Sequence, residues 1–175
     1  MTEEAVVRFS SSYPVIILTR EANSDTDWQE VDRGPGYFQI PTGEEIRVKI
    51  KSINDFELAE LVTELQGVST LRFLDLAENR NVTNDGMVRL KALTQLTGLN
   101  LSSCSITSTG IVPLRDLTRL EHLNLAYCNK LTDQALKTIQ AMRNLTFVDL
   151  QGCVNITQGG ISRMRHKNLT VKTKK

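Results

Sequence analysis

LEHLNLAYCNKLTD, residues 120–133, sets the reading of the whole chain. Leu123 and Leu125 alternate as in a short strand, Cys128 follows, and Leu131 precedes a Thr132-Asp133 pair. The same register returns without a gap in LRFLDLAEN (71–79), LTGLNLSSC (96–104) and LTFVDLQGC (145–153), and a fifth partial unit begins at Leu169. The starts lie 25, 24, 25 and 24 residues apart. A fixed period of this length marks a stacked array of supersecondary units. After each block comes an apolar residue and a threonine: Val82-Thr83, Ile106-Thr107, Leu131-Thr132 and Ile156-Thr157. Helical spacing then takes over, as in Met87, Leu90 and Leu93 or Leu136, Ile139 and Met142.

The physics of one unit follows from its two periods. Alternate side chains of a strand face opposite ways, so the leucines of LxLxx point inward and strands of successive units stack in parallel. The threonine caps a return helix by accepting from an early, otherwise unpaired N–H. The apolar stripe of that helix closes over the leucines. A single unit cannot bury its own face, so several must stack. Pro113, inside the second expected helix, predicts a short helix or a 3-10 segment there, and that unit is one residue short after Cys104. Gly159-Gly160 weakens the start of the last helix.

The pattern LxxLxLxxCxx(I/L)TDxxLxxL resembles the cysteine-containing leucine-rich repeats, the subtype of F-box substrate receptors and of many bacterial proteins. The resemblance runs over residues 71–171. It implies an α/β leucine-rich repeat solenoid, with parallel strands and return helices, and a non-catalytic role in protein–protein recognition on the concave sheet. Relatives recruit targets to ubiquitin ligases, so an adaptor or substrate receptor is implied. The segment ahead of the repeats is strand-rich where those receptors carry a helical F-box, which turns the expectation toward a stand-alone binding protein.

The three cysteines find their place in the repeat. Cys104, Cys128 and Cys153 occupy one position in successive units, and Asn79 holds it in the first. That position turns the chain off the strand into a tight interior. Asn bonds unpaired backbone groups there, and Cys fills the space as a small hydrophobe with a weak S–H donor. A zinc site needs close ligand pairs, which are missing, and a catalytic thiol needs exposure and a lowered pKa. The expectation is a structural ladder, with no catalytic residue, no metal and no cofactor.

Ahead of the repeats, short alternating runs predict a β-rich cap over residues 1–45, with a hairpin over 36–50 around Pro41-Thr42-Gly43. Residues 46–70 read as a divergent capping repeat, since Val48 and Ile50 align with Leu74 and Leu76. Its helix is capped by Asn54 or Asp55 and carries Leu58, Leu61, Val62 and Leu65. The repeats occupy 71–171 and a basic tail 172–175. Trp28, the single tryptophan, is expected to anchor the β-rich cap; exposed binding is the alternative.

The outward strand residues define the expected partner face. Its third positions give Phe73, His122 and Phe147, with Gly98 between. The fifth positions give Asp75, Asn100, Asn124 and Asp149, and the eighth adds Tyr127. Aromatic residues flanked by hydrogen-bonding groups suit a protein hot spot. The Asp/Asn row is also a habit of this repeat type. A hydrolase-like trio of Ser102 or Ser103, His122 and Asp149 is the enzymatic alternative, without a nucleophile elbow or an evident oxyanion hole.

Composition narrows the rest. The 175 residues carry 21 Lys+Arg and 20 Asp+Glu, so overall charge does not point to nucleic acid. Charge is unevenly spread: residues 1–60 hold 12 acids and 6 bases, while 150–175 hold 6 bases and no acid. The expected partner is therefore a protein, with no nucleic acid and no membrane. Self-association through the carboxy-terminal solenoid end or the oppositely charged ends is a further expectation, and anionic-surface binding by the basic tail an alternative. The acidic start MTEEAVVRFSSS lacks a signal-peptide pattern, and the cysteines lack a disulfide framework, so the expected location is cytoplasmic.

Overall fold

A computed structural model describes residues 6–166 and 168–173. The alternating amino-terminal runs become five strands: β1 (Val6–Ser11), β2 (Ile16–Glu21), β3 (Gln29–Arg33), β4 (Gly36–Pro41) and β5 (Glu44–Lys49). The turn at Thr42-Gly43 does not close a hairpin. β4 pairs antiparallel with β1, whereas β5 pairs with β2. Alternation announces a strand but not its partner. Here Phe38 and Ile40 bury against Phe9 in one sheet, while Ile46 and Val48 belong to the repeat core.

Helix α1 (Asp55–Leu65) follows, with Asn54 as N-cap. The Asn54 side chain accepts from the backbone of Phe56 and Glu57, and Glu57 returns a bond to the Asn54 N–H. Leu58, Leu61, Val62 and Leu65 form its buried face. β5 and α1 together have the strand–helix order of a repeat, and β5 lies parallel to the first regular strand, β6 (Leu71–Asp75).

The repeats continue with α2 (Asn84–Leu90), β7 (Gly98–Asn100), a 3-10 turn (Val112–Asp116), β8 (His122–Asn124), α3 (Asp133–Ala141), β9 (Phe147–Asp149), α4 (Gln158–Ser162) and β10 (Thr170–Lys172). Pro113 sits in the first turn of the 3-10 segment, where its missing N–H costs nothing. α4 has only five residues, and Gly160 passes so close to Asp133 that a Cβ would meet its carboxylate at 2.5 Å.

One eight-stranded sheet runs β10-β9-β8-β7-β6-β5-β2-β3. From β5 to β10 it is parallel; β2 and β3 extend it antiparallel. Leu74, Leu99, Leu123 and Val148 stand in register on its inner face, fully buried under the helices. Among the described residues, burial thins toward the carboxy-terminal end of the stack. Ile156 and Val171 are only half-buried, whereas their counterparts Leu131 and Val148 are sealed.

Two hydrogen-bond ladders join the units. In the first, the thiols of Cys104, Cys128 and Cys153 donate to the Leu76, Leu101 and Leu125 carbonyls of the preceding unit, at 3.2, 3.1 and 3.1 Å. Asn79 begins this ladder. Its amide donates to Ile50 O and Leu76 O at 2.9 Å, and its oxygen accepts from Ile53 N at 2.9 Å. In the second, a short polar residue at the start of each return segment binds the threonine that opens the next. Asp55 accepts from Thr83 N (2.8 Å) and Oγ1 (2.5 Å), and Asn84 and Ser108 accept from Thr107 N (2.9 Å) and Thr132 N (3.0 Å). Asp133 repeats the pattern with Thr157 N and Oγ1, both at 2.7 Å.

Burial pushes the Cys104 and Cys128 thiols up to about 12 and raises that of Cys153. The thiolate is the reactive form. A raised pKa keeps these groups protonated through neutral and mildly alkaline pH. Native protein at pH 8 should therefore leave an aromatic disulfide reagent essentially unreacted, and denatured protein should titrate all three thiols. Rapid reaction of even one native thiol would show that its strand end is open.

Candidate functional site

The outer face of the parallel sheet divides into a covered half and an open half. Its regular strands are three to five residues long, so the fifth position of each block is already the strand end. The Asp/Asn row sits there for a local reason. Asp75, Asn100, Asn124 and Asp149 each accept from the N–H two residues on, at 3.2, 3.0, 2.9 and 2.9 Å. These are Asx turns, in which a short side chain stands in for a backbone acceptor.

The covered half is built by the amino-terminal cap. Phe73 leans over Gly98, where a Cβ would come within 2.2 Å of its ring. The Arg47 guanidinium lies 4.4 Å from the Phe73 centroid and forms an ion pair with Asp75, which also accepts from Asn100 at 3.0 Å. Trp28 meets Phe73 edge-on with centroids 6.4 Å apart. Arg20 stacks at 4.6 Å over Trp28 and binds Glu45 at 2.8 Å. Trp28 is thus half-buried on the sheet face and does not anchor the cap core, which consists of Phe9, Val15, Ile17, Phe38 and Ile40. The reason lies in the pairing of β2 and β3: it carries the loop before Gln29 over the first regular strands. Sequence reasoning missed Arg20 and Arg47, because nothing local shows that β2 joins the repeat sheet.

The open half begins beyond Gly98. His122 is exposed and stacks obliquely on half-buried Phe147, with centroids 6.2 Å apart at 34°. Asn124, half-buried beside them, spends its oxygen on its own turn, and among the described residues its amide NH₂ has no protein acceptor. Asp149, by contrast, is buried and held by Lys172 at 2.8 Å. Lys172 therefore closes β10, although its place in the sequence suggested a tail; Lys167, Lys174 and Lys175 lie outside the described residues.

Tyr127 sits on the turn that follows the strand, not on the strand face. The eighth position of each unit is left-handed: φ is 67° at Glu78, 60° at Ser103, 60° at Tyr127 and 72° at Gly152. The chain must reverse direction here to send the ninth residue inward. A bulky residue at positive φ costs about 1 kcal/mol, and such strain collects at functional positions. The Tyr127 ring covers Gly152 and is 43% exposed, so it extends the His122–Phe147 surface to the carboxy-terminal side of the strands.

The serine–histidine–aspartate trio is not assembled. Asp149 is engaged by Lys172 and Gln151 N, and Ser103 occupies the left-handed turn. Among the described residues no hydrogen bond joins His122 to Asp149, Ser102 or Ser103. Among them, too, no cluster of three His, Cys, Asp or Glu could hold a metal ion, and no helix is long and apolar enough to cross a membrane.

Comparison with known proteins agrees with the repeat geometry. Residues 94–138 match a family model for two copies of the leucine-rich repeat, and residues 69–91 match a single-repeat model. No curated protein matches in sequence. Among solved structures, a chain from the crystal structure of the Rad7 and Elc1 complex in yeast is similar, with a TM-score of 0.58 and 18% identity. The match covers 70% of this chain and 31% of that one, so this chain spans about a third of its length. At that identity the likeness is one of fold.

Proposed function

Because this chain is a leucine-rich repeat protein, we propose that it recognises another protein, without catalysis, on the open half of its outer sheet face. The observation that carries this reading is the uneven cover of that face. Trp28, Arg20 and Arg47 close it over Phe73, while the His122–Phe147 stack stands open beside the unspent Asn124 amide. Aromatic side chains offer much contact area for little lost freedom, and a hydrogen-bonding neighbour fixes the register of a bound segment. Phe73, Asp75 and Asn100 then form the wall that orients the site, Tyr127 borders it on the turn side, and Asp149 holds β10 through Lys172. The role fits an adaptor or substrate receptor. The fold neighbour comes from a two-protein complex, which supports that reading.

The test is affinity capture from a lysate of the source organism, comparing wild type with a His122→Ala/Phe147→Ala double variant of unchanged melting temperature. A protein retained by wild type should fall at least about tenfold with the variant, the scale of a lost hot spot. Equal recovery would move the site off this face.

A further inference from the structure

The irregular second repeat leaves a mark on the opposite, convex side. Its return segment is a five-residue 3-10 turn between α2 and α3, both of which are α-helices. A 3-10 turn is tighter than an α-helix, and this one is shorter than either neighbour, with a hollow on the surface beside it. The hollow, of about 400 Å³, is shallow and lined by apolar Val88, Val112, Pro113 and Ala141 together with charged Lys91, Arg115 and Asp116. Val88 is 46% and Val112 45% exposed, which makes them two of the few large apolar side chains left in solvent. A second hollow of about 220 Å³ shares Arg115 and Ala141 with the first and adds Leu117, Leu120 and Met142.

The charged residues lining the two hollows are mostly of one sign. Lys91, Arg115 and Arg143 line the two hollows against one carboxylate, Asp116. Among the described residues, none of these four forms an ion pair. Apolar side chains with cations beside them are complementary to an amphipathic segment with leucine-like residues on one face and carboxylates on its flanks. The flanking elements settle the form of that segment. A strand binds by adding to a sheet edge, and the convex wall is made of helices and offers none, whereas a helix can lie across helices by packing its ridges into their grooves.

We propose that this hollow docks an acidic amphipathic helix of a partner protein, independently of the concave face. The probe is a labelled peptide of about 15 residues, long enough for four helical turns, with leucines on one face and glutamates beside them. Its counterpart carries lysines in place of the glutamates. By fluorescence anisotropy at about 0.15 M salt, the acidic peptide should bind at least about tenfold more tightly than the basic one. Val112→Glu and Arg115→Glu should each weaken it about tenfold or more. Tyr37→Ala, 59% exposed on the amino-terminal cap, should leave it unchanged.

Failure of the acidic peptide to bind, equal binding of the two peptides, or binding unaffected by Val112→Glu would each overturn the proposal. So would sedimentation showing a dimer of the protein alone that Val112→Glu dissolves, because a second copy would then fill the hollow.

Discussion

Replacing Asn79 with alanine should lower stability by about 4 kcal/mol, measured as a shift of the urea unfolding midpoint at unchanged slope. The size follows from what the side chain does while 1% exposed. It satisfies Ile53 N and Ile50 O and adds a bond to Leu76 O; alanine leaves the first two without a partner in a site closed to water, while Leu76 O keeps the Cys104 thiol. A buried polar group deprived of its partner costs about 1–3 kcal/mol. Asn79→Cys should recover about half of the loss, because a thiol can donate to Ile50 O as Cys104 does to Leu76 O, but its sulfur accepts from Ile53 N only weakly. If alanine and cysteine proved equally mild, the ladder would be packing alone and its hydrogen bonds incidental.

The same comparison explains why the first unit differs from the other three. In later units the ninth residue bonds back within its own turn: Cys104 N to Leu101 O, and Cys128 N to Leu125 O. In the divergent opening unit that position is Ile53, and its N–H turns instead to Asn79. A carboxamide donates and accepts more strongly than a thiol, which suits Asn79 to this junction. Cysteine suffices once the repeat is regular.

Asp55→Ala should cost about 3 kcal/mol by the same measurement. The Asp55 carboxylate accepts from Thr83 N, Thr83 Oγ1 and Gly86 N, holding the first regular helix against α1. Alanine removes three acceptor contacts at once and strips the threonine cap of its support. Asn should restore part of the loss, since one of its two terminal atoms still accepts, as Asn84 does from Thr107 N. Asp133→Ala, at the exposed end of the same ladder, should cost far less, because water can replace the carboxylate there. An equal cost at both ends would mean that the ladder acts as one cooperative unit and not as separate junctions.

The repeats could be read from the sequence because a period of 24–25 residues constrains strand, turn and helix at the same time. Four aligned blocks leave little freedom, and even the 3-10 segment at Pro113 was visible as a local conflict. The cap was less legible. Phe38, Ile40, Ile46 and Val48 alternate alike, yet β4 and β5 pair in different sheets. Strand periodicity has no term for the partner, and tertiary packing makes that choice.

Within the candidate site, His122 and Phe147 could be placed by counting along the strand. Tyr127 could not, because a strand of three residues ends before the eighth position and the turn takes over. The cover of Phe73 by Trp28 was hidden for another reason: it joins residues 45 positions apart through a sheet pairing that no local pattern announces. The second ladder did leave a trace. Thr83-Asn84, Thr107-Ser108 and Thr132-Asp133 recur in phase, and each pairs a threonine with a short polar acceptor for the next unit.

The most direct test of the recognition face places a photo-reactive benzoylphenylalanine at Phe147 and, as a control, at Phe56, which is 71% exposed on α1. After irradiation in lysate, position 147 should give a discrete covalent adduct with one protein, suppressed by His122→Ala, and position 56 should not. Adducts at Phe56 alone, or at neither position while the partner is still captured, would contradict recognition on the open sheet.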